Sequence, residues 1–329
     1  MSNFDRGWSM EKVCVLIPVY NSEKTIYHLC NNLMRVFSDK TNFKIVLVND
    51  GSRDSSGQVC KQLFNEYPGL VTYVELSRNF GEHNALMAGL HYVTGDYCIM
   101  MDDDLQNPPQ EARRLIDEIL KGYDVVYTYS MQRRDPLLRR LGSYFNDRIA
   151  TLVMKKPPGL YLSSFKIINR FLINEIIKFD GQNPYIDGII LRSTDRIGSV
   201  QVEHLSRRHG QSGYTLAKLV SLWGSMALNF SLIPLRMIGG LGAILTVGSL
   251  VFAIHRRFFD TPSDPLTDFE ILMSALLLLV GLLFFSIALL AEYIGRMYLF
   301  MNKQPQYIVR ELSTTDQSII DNAERRRRF

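Results

Sequence analysis

The first 130 residues alternate between strand-like and helix-like segments, and this alternation constrains the fold more than any other feature of the chain. Apolar, β-rich runs lie at Val13–Val19, Phe43–Asn49, Val71–Leu76, Tyr97–Met101 and Val125–Tyr129. Helical spacing of apolar residues separates them at Glu23–Phe37, Asp54–Tyr67, Gly81–Val93 and Pro109–Lys121. This order predicts an α/β fold with a mostly parallel sheet and helices on both faces. Such sheets bind ligands at the carboxyl ends of their strands.

Short polar loops follow the strands, and we expect them to meet at that edge as a composite ligand site. Asp50-Gly51-Ser52 follows the second strand. In one interpretation its Asp accepts hydrogen bonds from a base or ribose, and the glycine lets the backbone approach the ligand closely. In the other, the tripeptide is a plain turn followed by a helix cap. A helix begins at the segment from Gly81 to Asn84, and its free backbone amides could bind an anion, with Arg78 and Asn79 beside that helix start.

The turn after the fourth strand carries three adjacent acids, Asp102-Asp103-Asp104. Adjacent carboxylates repel one another, and a hard divalent cation neutralises them; Mg²⁺ and Mn²⁺ prefer oxygen ligands that are often shared with a substrate's phosphates. Asp102 and Asp104 are therefore candidate ligands of Mg²⁺ or Mn²⁺. The alternative is an acidic turn that caps the following helix at its positive end.

The apolar excess of the chain, 47% hydrophobic beside 21% charged, is concentrated in its last third. Residues 237–254 and 271–291 carry no charge over 18 and 21 residues. At about 1.5 Å per residue they reach roughly 27 and 32 Å, which predicts two transmembrane helices forming a hairpin. The first run contains several glycines, so a buried soluble helix is its alternative reading.

Basic residues flank these runs on the outer sides and are few in the loop between them, where only Arg256 and Arg257 lie. This distribution predicts an integral protein of the cytoplasmic membrane with both termini cytoplasmic. Met1 to Met10 is polar and shows no signal peptide. The four cysteines are far apart, without metal-ligand spacing, and fit reduced, buried thiols. A net charge of +4 suits an anionic membrane surface better than nucleic acid.

We predict a cytoplasmic catalytic domain over 1–212, an amphipathic juxtamembrane helix over 213–235, the two membrane helices within 236–295 and a cytoplasmic tail over 296–329. Inside the predicted catalytic domain, basic residues from Arg133 to Arg140 interleave with leucines. They form either an interfacial helix or a solvated helix packed on the domain. Residues 161–166 and 182–187 are plausible contacts for the acceptor or the sugar.

Four motifs in order carry a family resemblance: Val15-Leu16-Ile17-Pro18-Val19-Tyr20-Asn21, Val48-Asn49-Asp50-Gly51-Ser52, Leu76-Ser77-Arg78-Asn79-Phe80-Gly81 and Asp102-Asp103-Asp104-Leu105-Gln106-Asn107-Pro108-Pro109. Together they resemble glycosyltransferase family 2. With the paired apolar runs the chain looks most like its polyprenyl-phosphate glycosyltransferases, the relatives of dolichol-phosphate mannose synthase and the bacterial undecaprenyl-phosphate sugar transferases. The resemblance implies a GT-A fold, a nucleotide-sugar donor, a polyprenyl phosphate acceptor and inversion at the anomeric carbon.

Carried over by position, the resemblance assigns the site residues. Pro18, Tyr20, Asp50 and Ser52 fall at or beside donor-nucleotide positions, joined by Arg78 and Asn79; Asp102 and Asp104 match the metal motif and Gln106 its glutamine. Glu23 stands one residue later than the family pattern has it, which leaves its contact with the nucleotide open. Asp103 occupies the place of a small residue and is a weak candidate for a general base.

The acceptor side departs from the family at Arg207-Arg208-His209-Gly210-Gln211-Ser212-Gly213-Tyr214, where a glycine replaces a lysine. Contacts to the acceptor phosphate are therefore expected from Arg207 or Arg208, with Ser212 and Arg133 as further candidates. The alternatives are a processive polysaccharide synthase, whose Gln-x-x-Arg-Trp motif is missing here, and a catalytically silent membrane scaffold or small transporter. Self-association into a homo-oligomer is expected only by analogy with the family.

Overall fold

The computed structural model describes residues 11–38, 42–130, 157, 159–181, 184–203, 265–301 and 305–321. The strands are β1 Val13–Val19, β2 Phe43–Asn49, β3 Val71–Leu76, β4 Tyr97–Met100, β5 Val125–Tyr129, β6 Lys166–Asn169, β7 Ile197–Gln201 and β8 Val309–Ser313. The helices are α1 Ile26–Val36, α2 Ser56–Glu66, α3 Glu82–Leu90, α4 Ala112–Ile119, α5 Arg170–Ile176, α6 Ile186–Ser193 and α7 Pro265–Met301. The chain forms two compact units, of which the first contains the sheet and the second contains α7.

The eight strands form one sheet in the order β7-β5-β6-β4-β1-β2-β3-β8. β1 pairs in parallel with β2 and β4, β2 with β3, and β5 with β7. All five predicted strands are present, and four have the predicted bounds; β4 ends at Met100, one residue early. Six of these eight strands run in one direction, as predicted, but the sheet is mixed, because β6 runs antiparallel between β4 and β5 and β8 runs antiparallel beside β3.

Apolar side chains fill both faces of the sheet. Along β1, Val15 and Ile17 face the layer formed by α1, α2 and α4, whereas Cys14 and Leu16 face the layer formed by α3, α5 and α6. A strand buried on both faces is a nearly continuous apolar run in the sequence, which is why apolar runs identified these strands so well. All four cysteines are buried and free, as the sequence predicted.

The prediction of a C-terminal transmembrane hairpin is wrong. Across the described residues, no helix combines the length and the apolarity that crossing a membrane requires. The second predicted span, 271–291, is not a separate element, because α7 continues through Glu270 on one side and Glu292 on the other. Helix propagation adds one backbone hydrogen bond per residue whatever the side chain's charge, so an uncharged run does not set helix boundaries. The first predicted span and the amphipathic helix at 213–235 lie outside the described residues.

Part of the predicted tail is an element of the sheet. β8 pairs with β3, and its Glu311 accepts a hydrogen bond from Lys61 at 2.7 Å. Farther along, Asp316 forms an ion pair with Lys44 of β2. Upstream of β8, the Gln306 side chain donates to two backbone carbonyls of the loop after α5, those of Phe179 and Gly181. Residues 305–321 therefore belong to the unit that carries the sheet.

Candidate active site

The three acidic residues lie at the centre of the edge where the parallel strands end. They follow β4, which pairs with β1 on one side and with β6 on the other. The Met101 amide continues the ladder by donating to the Leu16 carbonyl at 3.1 Å. Asp102, Asp103 and Asp104, called the acidic turn below, are each half-buried. The turn is thus held by backbone on both sides while its carboxyl groups remain partly accessible.

On the β1 side, the loops after β1, β2 and β3 (residues 20–23, 50–56 and 77–81) form what we call the loop cluster. Hydrogen bonds join its first two loops at five points. Asn21 donates its amide to the Ser52 hydroxyl at 3.1 Å and accepts from the Arg53 amide at 2.9 Å. Glu23 accepts from the Ser55 amide at 3.0 Å. The other two bonds are donated by the amides of Ser22 and Glu23 to the side chains of Ser56 and Asp54.

Asp50 holds the third loop of the cluster. Its two carboxylate oxygens accept from the amides of Phe80, at 2.7 Å, and Gly81, at 2.9 Å. The residue is only 3% exposed, and burial raises the pKa of its carboxyl against the lowering effect of these two hydrogen bonds. The structure therefore places this predicted nucleotide contact beneath the loop, where it shapes the surface that a ligand would meet.

Gly51 permits a close backbone approach, but the approaching backbone belongs to the chain itself. Its φ is +60°, and a Cβ there would lie 2.4 Å from the carbonyl carbon of Arg78 and 2.5 Å from the nitrogen of Asn79. The side chains of Arg78 and Asn79 are exposed at the rim of the loop cluster, and the Arg78 guanidinium lies 4.8 Å from the centre of the Phe80 ring. Gly51 thus lets the second and third loops meet.

Asp103 connects the acidic turn to the loop cluster. Its Oδ2 accepts from the Tyr20 amide at 3.1 Å and from the Ser22 hydroxyl at 2.5 Å. Burial raises the pKa of this carboxyl to about 6, with smaller contributions from Asp102 and Asp104. The Tyr20 side chain is 43% exposed at the same place, whereas Pro18 is half-buried within β1. Asp103 therefore faces the loops and leaves Asp102 and Asp104 as the metal candidates.

The acidic turn does not cap the helix that follows it. The short 3₁₀ helix at Pro109–Glu111 begins after Pro108 without a side-chain cap, and α4 has none either. Asp104 instead accepts from the amide of Gln106 at 3.0 Å, and Asp102 accepts from the Ser164 hydroxyl. The capping alternative is therefore wrong. Asp104 stabilises the turn itself, and Ser164, from a distant part of the chain, holds Asp102.

The residues fit a divalent metal that is completed by a substrate. Within the described ranges, no three or more His, Cys, Asp or Glu side chains are grouped to hold a metal ion by themselves. Mg²⁺ is commonly bound by only one or two carboxylates, with water and substrate phosphates as the remaining ligands. Asp102 and Asp104, both oxygen donors and both half-buried, match that donor set.

On the β6 side lies a buried ion pair with a tyrosine beside it, which we call the ion cluster: Lys166, Asp187 and Tyr127. Lys166 is 2% exposed and donates to Oδ1 of Asp187, which is 7% exposed. The Tyr127 hydroxyl donates to the same oxygen at 2.9 Å, and burial raises the pKa of that phenol. Both charged residues fall in the segments for which the sequence predicted acceptor or sugar contacts, and β6 and α6 bring them together.

Glu82, at the start of α3, interacts electrostatically with both the acidic turn and the ion cluster, and His83 beside it interacts with the ion cluster. Although part of Glu82 is exposed, burial of its carboxyl raises its pKa to about 7, followed by repulsion from Asp102; Lys166 opposes this shift. Burial lowers the pKa of His83 to about 4, so its imidazole is neutral, and the ring lies edge-on to Tyr185 with centroids 5.1 Å apart. Sequence reasoning missed Glu82, whose signal was an acid directly after the third motif.

The predicted acceptor contacts Arg133, Arg207, Arg208 and Ser212 lie outside the described residues. Of the other predicted site residues, the structure brings Tyr20, Glu23, Asp50, Ser52, Arg78 and Asn79 into the loop cluster, and Asp102, Asp104 and Gln106 into the acidic turn beside it. The residues it adds are Ser164, Glu82 and the ion cluster, all from the β6 side or from α3.

This fold, a mixed sheet covered by helices on both faces with an acidic turn at the carboxyl ends of its parallel strands, is of the GT-A-like class of α/β folds. Residues 14–177 match the model of glycosyl transferase family 2. The chain therefore contains a glycosyltransferase family 2 domain, which confirms the family part of the resemblance.

Two solved structures illustrate the fold. Glucosyl-3-phosphoglycerate synthase from Mycobacterium tuberculosis, in complex with Mn²⁺, UDP-glucose and phosphoglyceric acid, is 16% identical with a TM-score of 0.50, covering 67% of this chain and 79% of that chain. A crystal structure described only as a mycobacterial protein is 16% identical with a TM-score of 0.51, covering 68% of this chain and 75% of that one. At this level of identity the likeness shows the fold.

Proposed function

We propose that this protein transfers a sugar from a nucleotide-sugar to a polyprenyl phosphate, with inversion at the anomeric carbon, at the cytoplasmic face of the membrane. The observation that carries the proposal is the position of the acidic turn. Its two metal candidates stand between the loop cluster, which suits a nucleotide, and Ser164 on the β6 side, in a domain of glycosyltransferase family 2.

The loop cluster supplies the donor site. Tyr20 exposes 43% of its surface and can stack on a base, and Ser52 sits beside it with its hydroxyl tied to the Asn21 amide. Arg78 and Asn79 project from the rim, where a cation and an amide compensate the charge of a diphosphate. Because Asp50 and Asp103 are engaged with backbone amides, their role is to hold these loops in place.

Asp102 and Asp104 would hold Mg²⁺ or Mn²⁺ together with the donor's phosphates, as the Mn²⁺ and UDP-glucose in the mycobacterial synthase suggest by analogy. The chemistry supplied there is Lewis-acid stabilisation of the charge that develops on the leaving nucleoside diphosphate. Gln106, whose backbone N–H donates to Asp104, completes the motif at the same turn.

The acceptor needs no protein base. The second pKa of a phosphate monoester is about 6, so the attacking oxygen is already anionic at neutral pH and requires chiefly positioning and charge compensation. The basic candidates for that compensation are Arg207, Arg208 and Arg133, with Ser212 as a neutral donor. A single in-line displacement by this oxygen inverts the anomeric carbon.

The test is transfer of radiolabelled sugar by the full chain, purified in detergent, from a panel of nucleotide-sugars to undecaprenyl phosphate. Glycolipid should form with Mn²⁺ or Mg²⁺ and not with chelator. Asp104→Asn should lose activity by about 10²–10³-fold, the range for one lost electrostatic contact to the reacting charge. Asp117→Asn, on an exposed position of α4, should behave as wild type.

A fully active Asp104→Asn variant, or a protein that neither binds nucleotide-sugars nor forms product, would contradict the proposal. Transfer to 3-phosphoglycerate in place of the lipid would keep the transferase and reject the lipid acceptor.

A further inference from the structure

We propose that Ser164 is a positioning residue for Asp102, holding that carboxylate in the orientation in which it binds the divalent metal. This inference rests on the proposed function above and adds to it a residue that lies outside the family's acidic motif. The contact is a hydrogen bond from the Ser164 hydroxyl to Oδ2 of Asp102 at 2.5 Å, between residues 62 positions apart in the chain.

The register of β4 and β6 explains why these two side chains meet. The antiparallel ladder pairs Tyr97 with Asn169 and ends with Met100 opposite Lys166. The same register places Asp102, two residues after Met100, opposite Ser164, two residues before Lys166. Directly opposed residues of antiparallel strands bring their side chains together on one face of the sheet. Sequence distance hides this pairing, and the antiparallel insertion of β6 creates it.

Side-chain alternation also separates the first two acids of the turn. Cys98 and Met100 face the layer that contains α3, so Asp102, two residues later, continues on that face. Glu82, at the start of α3, feels the Asp102 charge on this side. Asp103 turns to the other face and meets Tyr20 and Ser22. Each of these two acids therefore has its own hydroxyl donor on its own face, Ser164 for Asp102 and Ser22 for Asp103.

A positioning donor matters here because negative charge is dense. Asp103 and Asp104 follow Asp102 in the chain, and Glu82 repels the charge of Asp102. Without a cation, this repulsion disfavours a close approach of the Asp102 and Asp104 carboxylates. A hydroxyl on Oδ2 stabilises the ionised carboxylate and fixes its rotamer. Outer contacts of this kind orient metal ligands, and their loss typically weakens metal binding by about 10–100-fold.

The adjacent serine supplies a matched control. Ser163 has the same side chain one residue earlier, but its hydroxyl lies 2.9 Å from the hydroxyl of Thr128 in β5 and accepts from the Phe165 amide at 3.2 Å. It therefore ties the start of β6 to β5 and makes no hydrogen bond to the acidic turn among the described residues. Ser163→Ala removes a hydroxyl from the same segment without touching Asp102.

The experiment measures Mn²⁺ binding directly, by the loss of the free-ion electron paramagnetic resonance signal, on the full chain with UDP present. Ser164→Ala should weaken Mn²⁺ binding by about 10–100-fold, and Ser164→Thr, which keeps the hydroxyl, should restore it. Ser163→Ala should bind as wild type. In an Asp102→Asn background, Ser164→Ala should add no further loss, because the two residues act through one contact.

Two results would overturn the inference while the proposed function stands: Ser164→Ala binding Mn²⁺ as tightly as wild type while Asp102→Asn does not, or Ser163→Ala weakening binding as much as Ser164→Ala. Wild-type protein that binds no Mn²⁺ with UDP present would overturn both.

Discussion

The two sides of the acidic turn are built by different physical means. The loop cluster is held by many hydrogen bonds from backbone amides to partly exposed side chains, each contributing about 1 kcal/mol. The ion cluster is held by one buried charge pair with a tyrosine hydroxyl on the same carboxylate oxygen. The first arrangement distributes its stability, whereas the second concentrates it in a few atoms. Single substitutions should therefore separate the two sides clearly.

The largest loss of stability is expected from Lys166→Met. This change leaves Asp187 as a buried charge without its cationic partner, and breaking a buried pair in this way costs about 3–5 kcal/mol. Urea unfolding measures it. The control is Lys178→Met, which breaks the exposed pair with Glu175 and should cost at most about 1 kcal/mol. Equal effects of the two substitutions would show that the ion cluster does not concentrate stability.

An intermediate loss is expected from Gly51→Ala in the loop cluster. A Cβ at Gly51 would lie only 2.4–2.5 Å from the Arg78–Asn79 backbone, and the positive φ adds strain of about 1–3 kcal/mol. Gly159→Ala is the control, because Gly159 also has a positive φ, of +77°, but lies outside the loop cluster and nothing lies within 4 Å of its added Cβ. Gly51→Ala should therefore unfold at lower urea than Gly159→Ala and bind UDP more weakly. The reverse order would mean that backbone contact between the loops is unimportant.

The smallest effect should be a change in pH dependence from Glu82→Gln, because this side chain is partly exposed and solvent screens its interactions. The folded pKa of Glu82 is about 7, above its ordinary value of 4.5, so the folded state holds its proton more tightly than the unfolded state. The stability that this residue contributes is present below pH 4.5 and lost as the pH rises through 7. Relative to wild type, Glu82→Gln should therefore gain stability between pH 4.5 and pH 8 in urea unfolding. A Glu82→Gln curve parallel to wild type would refute the expected shift.

The sequence predicted the central strands and the edge where their loops gather, because strands buried on both faces are continuous apolar runs. It also predicted the acidic turn as a metal candidate and the family. It did not predict β6, because Lys166 interrupts an otherwise apolar segment, and it did not predict β8, whose charged residues read as a polar tail. The same reliance on local composition produced the transmembrane hairpin, which the structure contradicts.

What the sequence determined by itself is therefore the set of motifs, their order and the strands that carry them, since each depends on neighbours within a few residues. Only the tertiary structure decided which side chains face one another: Asp50 beneath the third loop, Ser164 against Asp102, and Lys166 with Asp187. These contacts join residues 21 to 62 positions apart. The physical reason is that they depend on strand register and on the antiparallel insertion of β6, and neither leaves a periodic trace in the chain.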